Sequence, residues 1–181
     1  MIFHHLQMIF VGIPKNGSTS IHLSLYDSNE SVEGLHNSHN HTPIWEEAKY
    51  PYEMVCMSKN PYDRFISAYK MFPGRLNPNQ KLRNFISMGW DNFINNEIHF
   101  RPQWWFTTLH GKFWMDKVLR IEESQDWVDF MKTRQDGMIR PLVRENVSKE
   151  PNPILDNESI QMINYLYRDD FRLFNYPMIQ L

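Results

Sequence analysis

The chain has 181 residues, of which 41% are hydrophobic and 22% charged, and its formal net charge is −2 at pH 7. This length suits one globular domain over residues 1–181, and the composition excludes a disordered or collagen-like chain. The near-neutral charge argues against nucleic acid or another long polyanion as a partner, because proteins that bind such partners usually carry a basic surface.

The first predicted element is a buried strand at about residues 8–13, which a glycine-containing turn joins to a helix at 18–27. At the first turn of a helix, backbone N–H groups have no partner within the helix, and the helix dipole places partial positive charge there. Such a helix start binds phosphate or sulfate well. We therefore predict an anion site in this turn, the alternative being a corner without a ligand.

Two glycines in the segment IFVGIPKNGSTSI, Gly12 and Gly17, have the spacing of a nucleotide-binding P-loop. The P-loop pattern then requires lysine, but Ser18 stands there, and the cation of the loop is Lys15 instead. From the middle of the loop, Lys15 is suited to reach the oxygen that bridges a 5′-phosphate and a transferred group. The residues predicted to hold this anion are Lys15, Asn16, Gly17, Ser18, Thr19 and Ser20.

A second strand, predicted at 53–58, leads into a second helix, predicted at 61–72. Asn60 is a suitable cap for this helix, and Pro61 is typical of the first helical position. Cations and a hydroxyl around this helix start favour a second phosphate site, so the ligand is expected to be a bisphosphorylated nucleotide. The candidate residues for the second phosphate are Lys59, Arg64 and Ser67.

Later segments continue the alternation of strands and helices. This alternation predicts an α/β fold, a P-loop-like single domain in which helices flank a central parallel sheet. The further predicted elements are helices at 82–95, 123–134 and 157–170 and a strand at 117–121, with loops at 28–43, 73–81 and 145–156.

The two anion-binding segments together resemble the 5′-phosphosulfate loop and the 3′-phosphate motif of sulfotransferases that use 3′-phosphoadenosine 5′-phosphosulfate (PAPS). The closest resemblance is to the carbohydrate, glycosaminoglycan-type branch, and residues 99–106, 118–123 and 157–176 resemble later segments of that branch. One departure is Lys59, because the family usually has arginine there, whose fork grips a phosphate with two bonds.

The resemblance implies in-line transfer of a sulfuryl group from PAPS to a hydroxyl of a carbohydrate or small molecule. Adenosine 3′,5′-bisphosphate is then the product, and no metal is required. A P-loop-like nucleotide kinase and a non-catalytic module that binds the same nucleotide are the alternatives. The displaced lysine at Lys15 argues against the kinase.

A histidine in a loop between the two phosphate motifs acts as the base in this family, and histidine suits proton transfer at neutral pH. Histidines cluster in residues 36–43, where His41 followed by Thr42 matches best and His39 comes second. A metal site and a solvated loop are alternative interpretations of this cluster. The resemblance also implies that Lys149 contacts the nucleotide. The candidates for acceptor binding are His99, Arg101 and Gln103.

No stretch of the sequence approaches 18 consecutive apolar residues, and its opening lacks a basic leader and a cleavage site. We therefore expect a protein that is neither membrane-anchored nor secreted, as in a cytoplasmic enzyme of bacterial or viral type. The single cysteine, Cys56, is in keeping with a reducing compartment.

Overall fold

A computed structural model describes residues 1–25, 51–71, 97–134 and 152–181. The chain forms two compact units, one of residues 1–59 and 105–146 and the other of residues 60–104 and 147–181. The predicted helix at 82–95 and the loops at 28–43 and 73–81 lie outside the described residues, as does most of the loop at 145–156.

The first unit contains all the strands in the described part of the chain. The strand predicted at 53–58 is confirmed with those bounds, and the strands predicted at 8–13 and 117–121 are confirmed but end earlier, at Val11 and Arg120. The strands are β1 (Ile2–Phe3), β2 (Met8–Val11), β3 (Glu53–Ser58), β4 (Thr108–Leu109), β5 (Lys112–Phe113) and β6 (Lys117–Arg120).

The main sheet has the strand order β1-β2-β3-β6. Strands β2, β3 and β6 are parallel, as predicted, while β1 pairs with β2 in the antiparallel sense and was not predicted. Val11 pairs with Cys56, and Ser58 pairs with Arg120, so the carboxyl ends of the three parallel strands share one edge. Strands β4 and β5 form a separate hairpin.

The described residues form six α-helices. They are α1 (Ser18–Leu25), α2 (Pro61–Lys70), α3 (Gln103–Thr107), α4 (Ser124–Lys132), α5 (Asn157–Leu166) and α6 (Arg168–Leu173). In the first unit, α4 buries Trp127, Phe130 and Met131, which join Ile21 of α1 and apolar residues of the sheet in one core. The predicted mixed α/β class, with helices packed on a parallel sheet, is therefore confirmed.

The second unit packs α2 against α5 and α6. Tyr62 and Phe65 of α2 share its core with Ile163 of α5 and Phe171 of α6. The predicted cap is confirmed, because the Asn60 side chain accepts a hydrogen bond of 3.0 Å from the Tyr62 N–H.

The single helix predicted over 157–170 is wrong in one respect, because α5 ends at Leu166 and α6 begins at Arg168. Tyr167 between them has a φ of −106° and a ψ of 20°, outside the helical range. Its buried hydroxyl donates to the Phe100 carbonyl at 2.7 Å, a contact between distant segments that local helical spacing does not reveal.

Across the described ranges, none of the helices is both long enough and apolar enough to cross a membrane.

Candidate functional site

The turn between β2 and α1 has an unusual backbone conformation. Lys15 has a φ of 70° and Gly17 a φ of 75°, both in the left-handed region, while Asn16 between them does not. Glycine adopts this region readily, but for lysine it is uncommon and costs roughly 1–2 kcal/mol. Strained residues of this kind cluster at ligand sites, where the surrounding structure fixes them. The conformation of Lys15 therefore marks this turn as a candidate site.

Asn16 holds the turn against the sheet. Its side-chain Nδ2 donates to the Met57 carbonyl of β3 at 2.7 Å, and the residue is 1% exposed. Its backbone N–H donates to the Ile13 carbonyl at 3.2 Å, within the turn. Asn16 was predicted as a contact to the anion, and the structure shows it anchoring the loop that carries Lys15.

The first hydrogen bond of α1 runs from the Ile21 N–H to the Gly17 carbonyl at 3.0 Å. The N–H groups of residues 17–20 come before this bond, so helix geometry directs them out of the helix end. Ser18 and Ser20 are half-buried and Thr19 is exposed. These groups lie beside the half-buried Lys15, and their predicted binding of an anion stays a prediction.

A substitution at Gly17 tests whether the turn requires a left-handed residue with no side chain at this position. A Cβ at Gly17 would lie 2.7 Å from Ile121 Cδ1, and alanine would also have to adopt the left-handed φ. We expect Gly17→Ala to lower the free energy of unfolding by about 1–2 kcal/mol, the usual cost of this conformation. Urea unfolding measures this loss.

Gly12→Ala is the matched control for this substitution. An added Cβ there meets Ser18 Cβ at 3.7 Å, an ordinary contact, and the backbone is not left-handed. An equal loss in the two variants would show that the left-handed turn is not the reason for the effect.

Lys59 directly follows β3, is half-buried and belongs to the first unit. Because β2 and β3 are adjacent parallel strands, the turn that follows β2 and Lys59 leave the sheet at the same edge. In open α/β sheets, ligands bind at this carboxyl edge. Lys15 and Lys59, the cations predicted for the two phosphate sites, therefore both follow strands that end at this edge.

Arg64 and Ser67 lie on α2 in the second unit. Ser67 is half-buried, while Arg64 is only 1% exposed. Burial lowers the pKa of Arg64, and the neighbouring Asp170 opposes this shift. Arg64 is thus an interior cation near a carboxylate, and its predicted contact with a phosphate stays a prediction, as does that of Ser67.

Asp170 is a buried carboxylate at the centre of the second unit, with no exposed surface. Its two oxygens accept hydrogen bonds of 2.8 Å each, one from the Gln103 N–H and one from the Trp104 N–H. Burial raises the pKa of Asp170 to about 6, and the charge of Arg64 and these N–H donors act in the opposite direction. The Arg64 cation and the N–H donors therefore favour the ionised form of this carboxyl group, which burial disfavours.

Sequence reasoning missed Asp170, although a signal was present. Ile163, Tyr167 and Asp170 recur at spacings of four and three, which places the carboxylate on the buried side of the terminal helices. An acidic residue at an otherwise apolar position needs a buried partner.

The residues predicted to bind the acceptor lie in and around a short 3₁₀ turn, Ile98–Phe100, and the start of α3. His99 and Arg101 are half-buried on either side of the fully buried Phe100. Gln103 is fully buried and contacts Asp170, so the structure gives it a packing role. Acceptor binding by His99, Arg101 and Gln103 stays a prediction.

Three predicted site residues, His39, His41 and Lys149, lie outside the described residues. Within the described ranges, no group of three or more His, Cys, Asp or Glu side chains is arranged to hold a metal ion.

Comparison with known proteins gives one family. A family model described as "Sulfotransferase family" matches residues 1–177, nearly the whole chain. Neither the curated proteins nor the solved structures give a match to the chain.

Proposed function

Because the chain belongs to the sulfotransferase family, whose members use PAPS as sulfate donor, we propose that it transfers a sulfuryl group to a hydroxyl of a carbohydrate or small molecule. The observation that supports this assignment best is the turn of residues 12–17. It combines a left-handed lysine, an anchor to β3 and the start of a helix at the carboxyl edge of a parallel sheet.

We assign the 5′-phosphosulfate to Lys15 and to the N–H groups of residues 17–20. In-line transfer leaves negative charge on the oxygen that bridges the 5′-phosphate and the sulfuryl group. A fixed cation and fixed N–H dipoles stabilise this charge without rearranging during the reaction, which is how such groups contribute most to catalysis. The anchoring of the turn through Asn16 supports this role, because it fixes the cradle before the nucleotide binds.

The 3′-phosphate is assigned to the second motif, and the acceptor to residues of the 3₁₀ turn Ile98–Phe100 and the start of α3. Lys59 lies at the same sheet edge as the turn, which supports its contact with the nucleotide. His41, with His39 as the alternative, takes the proton of the acceptor hydroxyl, as the family resemblance implies. The further residues proposed to contact the nucleotide are Arg64, Ser67 and Lys149, and those proposed to contact the acceptor are His99, Arg101 and Gln103.

Calorimetry with adenosine 3′,5′-bisphosphate and with ATP tests the nucleotide assignment. We expect the bisphosphate to bind in the presence of EDTA, and to bind more tightly than ATP, because its two phosphates match the two proposed cation sites. Adenosine 5′-monophosphate is the matched control, and the loss of affinity relative to the bisphosphate measures the contribution of the 3′-phosphate. Binding of ATP alone, and only with Mg²⁺, would contradict the assignment and favour a kinase.

A further inference from the structure

The second unit contains a buried polar arrangement that the assigned roles do not use. Tyr167 and Asp170, three residues apart at the start of α6, both bind the segment of residues 99–104. The Tyr167 hydroxyl donates to the Phe100 carbonyl at 2.7 Å, and the Asp170 carboxylate accepts from the N–H groups of Gln103 and Trp104 at 2.8 Å each. We call these three hydrogen bonds the Tyr167–Asp170 clamp.

The clamped segment has little stability of its own. It joins the end of a 3₁₀ turn of 3 residues to the start of a helix, α3, of only 5 residues. Helices this short are not stable in isolation, so contacts from elsewhere must set their position. Three directional hydrogen bonds at Phe100, Gln103 and Trp104 hold both ends of the segment.

The clamp also connects this segment to α2. Arg64 of α2 is fully buried, and the negative charge of Asp170 acts on it. A buried ionic group of this kind adds little net stability compared with a well-packed apolar side chain. Its physical effect is to fix geometry, because the hydrogen bonds that satisfy a buried carboxylate are directional.

We propose that Asp170, together with Tyr167, is a positioning residue for the acceptor. The clamp fixes the backbone on both sides of Arg101 and holds Phe100 in the core, which leaves His99 and Arg101 half-buried in one defined arrangement. The proposal rests on the proposed function, because it assumes that these two side chains contact the acceptor. Asp170 itself touches neither substrate.

The first test is steady-state sulfate transfer by Asp170→Asn. The amide keeps the size of the side chain, but its NH₂ group cannot accept a hydrogen bond, so at least one bond to Gln103 or Trp104 is lost. We expect the acceptor KM to rise tenfold or more, while the Kd for adenosine 3′,5′-bisphosphate stays within threefold. Asp169→Asn is the matched control, because Asp169 is adjacent, partly exposed and paired with the exposed Arg172.

Tyr167→Phe tests the same clamp without disturbing the buried charges, in case Asp170→Asn fails to fold. It removes the hydroxyl that donates to Phe100 and leaves Arg64 beside Asp170. We expect a threefold to tenfold rise in the acceptor KM with the Kd for the bisphosphate unchanged. Tyr165→Phe is the matched control, because Tyr165 is 73% exposed.

Amide hydrogen exchange provides a readout that does not depend on activity. We expect exchange of residues 100–104 to accelerate at least tenfold in Asp170→Asn or Tyr167→Phe, while α2 keeps its protection. An unchanged acceptor KM in a folded variant would overturn the proposal, and so would a parallel loss of protection throughout the second unit. If the wild type transfers no sulfate, the proposed function is wrong, and so is the role of Asp170 in acceptor binding. The hydrogen-exchange data would still show whether the Tyr167–Asp170 clamp holds residues 100–104 in place.

Discussion

Replacing Lys15 by alanine should reduce the rate of sulfuryl transfer by roughly 10²–10³, the usual effect of removing one preorganised group that stabilises charge in a transition state. Lys15 is the cation of the turn before α1, and its left-handed backbone is fixed by the surrounding structure. Because negative charge grows on the leaving phosphate, the lysine interacts more strongly with the transition state than with the bound nucleotide. The rate should therefore fall further than the affinity for adenosine 3′,5′-bisphosphate.

Single-turnover kinetics and calorimetry measure these two quantities separately. Alanine, like lysine, disfavours a left-handed φ, whereas glycine adopts it readily. The main effect of Lys15→Ala is therefore the loss of the charge and of the rest of the side chain. Lys112→Ala is the control for general loss of a cation, since Lys112 is exposed and packs over Trp114 on the β4–β5 hairpin. A Lys15→Ala enzyme that keeps its rate within threefold of the wild type would show that Lys15 does not contact the reacting group.

His41→Ala should lower turnover by roughly 10²–10⁴, the usual contribution of a general base. A base acts on the acceptor hydroxyl and does not contact the nucleotide. The affinity for adenosine 3′,5′-bisphosphate should therefore stay within about twofold of the wild type, in contrast to Lys15→Ala. Transfer of radiolabelled sulfate to a panel of hydroxylated acceptors measures the turnover.

His39→Ala is the parallel variant, because His39 lies two positions before His41 in the same histidine-rich segment. A large loss in His39→Ala with little change in His41→Ala would move the base to His39. If both variants keep the wild-type turnover, the assignment of the base to this segment is contradicted, and His99 is the next residue to replace.

The sequence predicted those strands and helix ends that depend on neighbouring residues along the chain. The strand at 53–58 has an apolar run at residues 54–57, and its observed bounds, Glu53–Ser58, are those predicted. The start of α2 followed from Asn60 and Pro61, whose local chemistry needs no distant partner. The two-residue strand β1 was missed, because two residues carry no periodic signal and β1 exists only through its pairing with β2.

The candidate site was predicted in outline, and the contacts that shape it were not. The glycine spacing indicated an anion-binding turn, but the left-handed φ of Lys15 depends on how the loop is held against the sheet. The bond from Asn16 to Met57 joins residues 41 positions apart, and that from Gln103 to Asp170 joins residues 67 positions apart. Helical spacing and turn chemistry describe neighbours along the chain, so they do not reveal such pairs.

The most direct test of the central claim is the transfer of radiolabelled sulfate from PAPS by the wild-type protein, measured in EDTA with carbohydrate and small-molecule acceptors. We predict that labelled sulfate appears on a hydroxyl of an acceptor while an equal amount of adenosine 3′,5′-bisphosphate is released. Tight binding of the bisphosphate without transfer to any acceptor would contradict the claim and identify a non-catalytic binding module. Phosphate transfer from ATP that requires Mg²⁺ would contradict it in favour of a kinase.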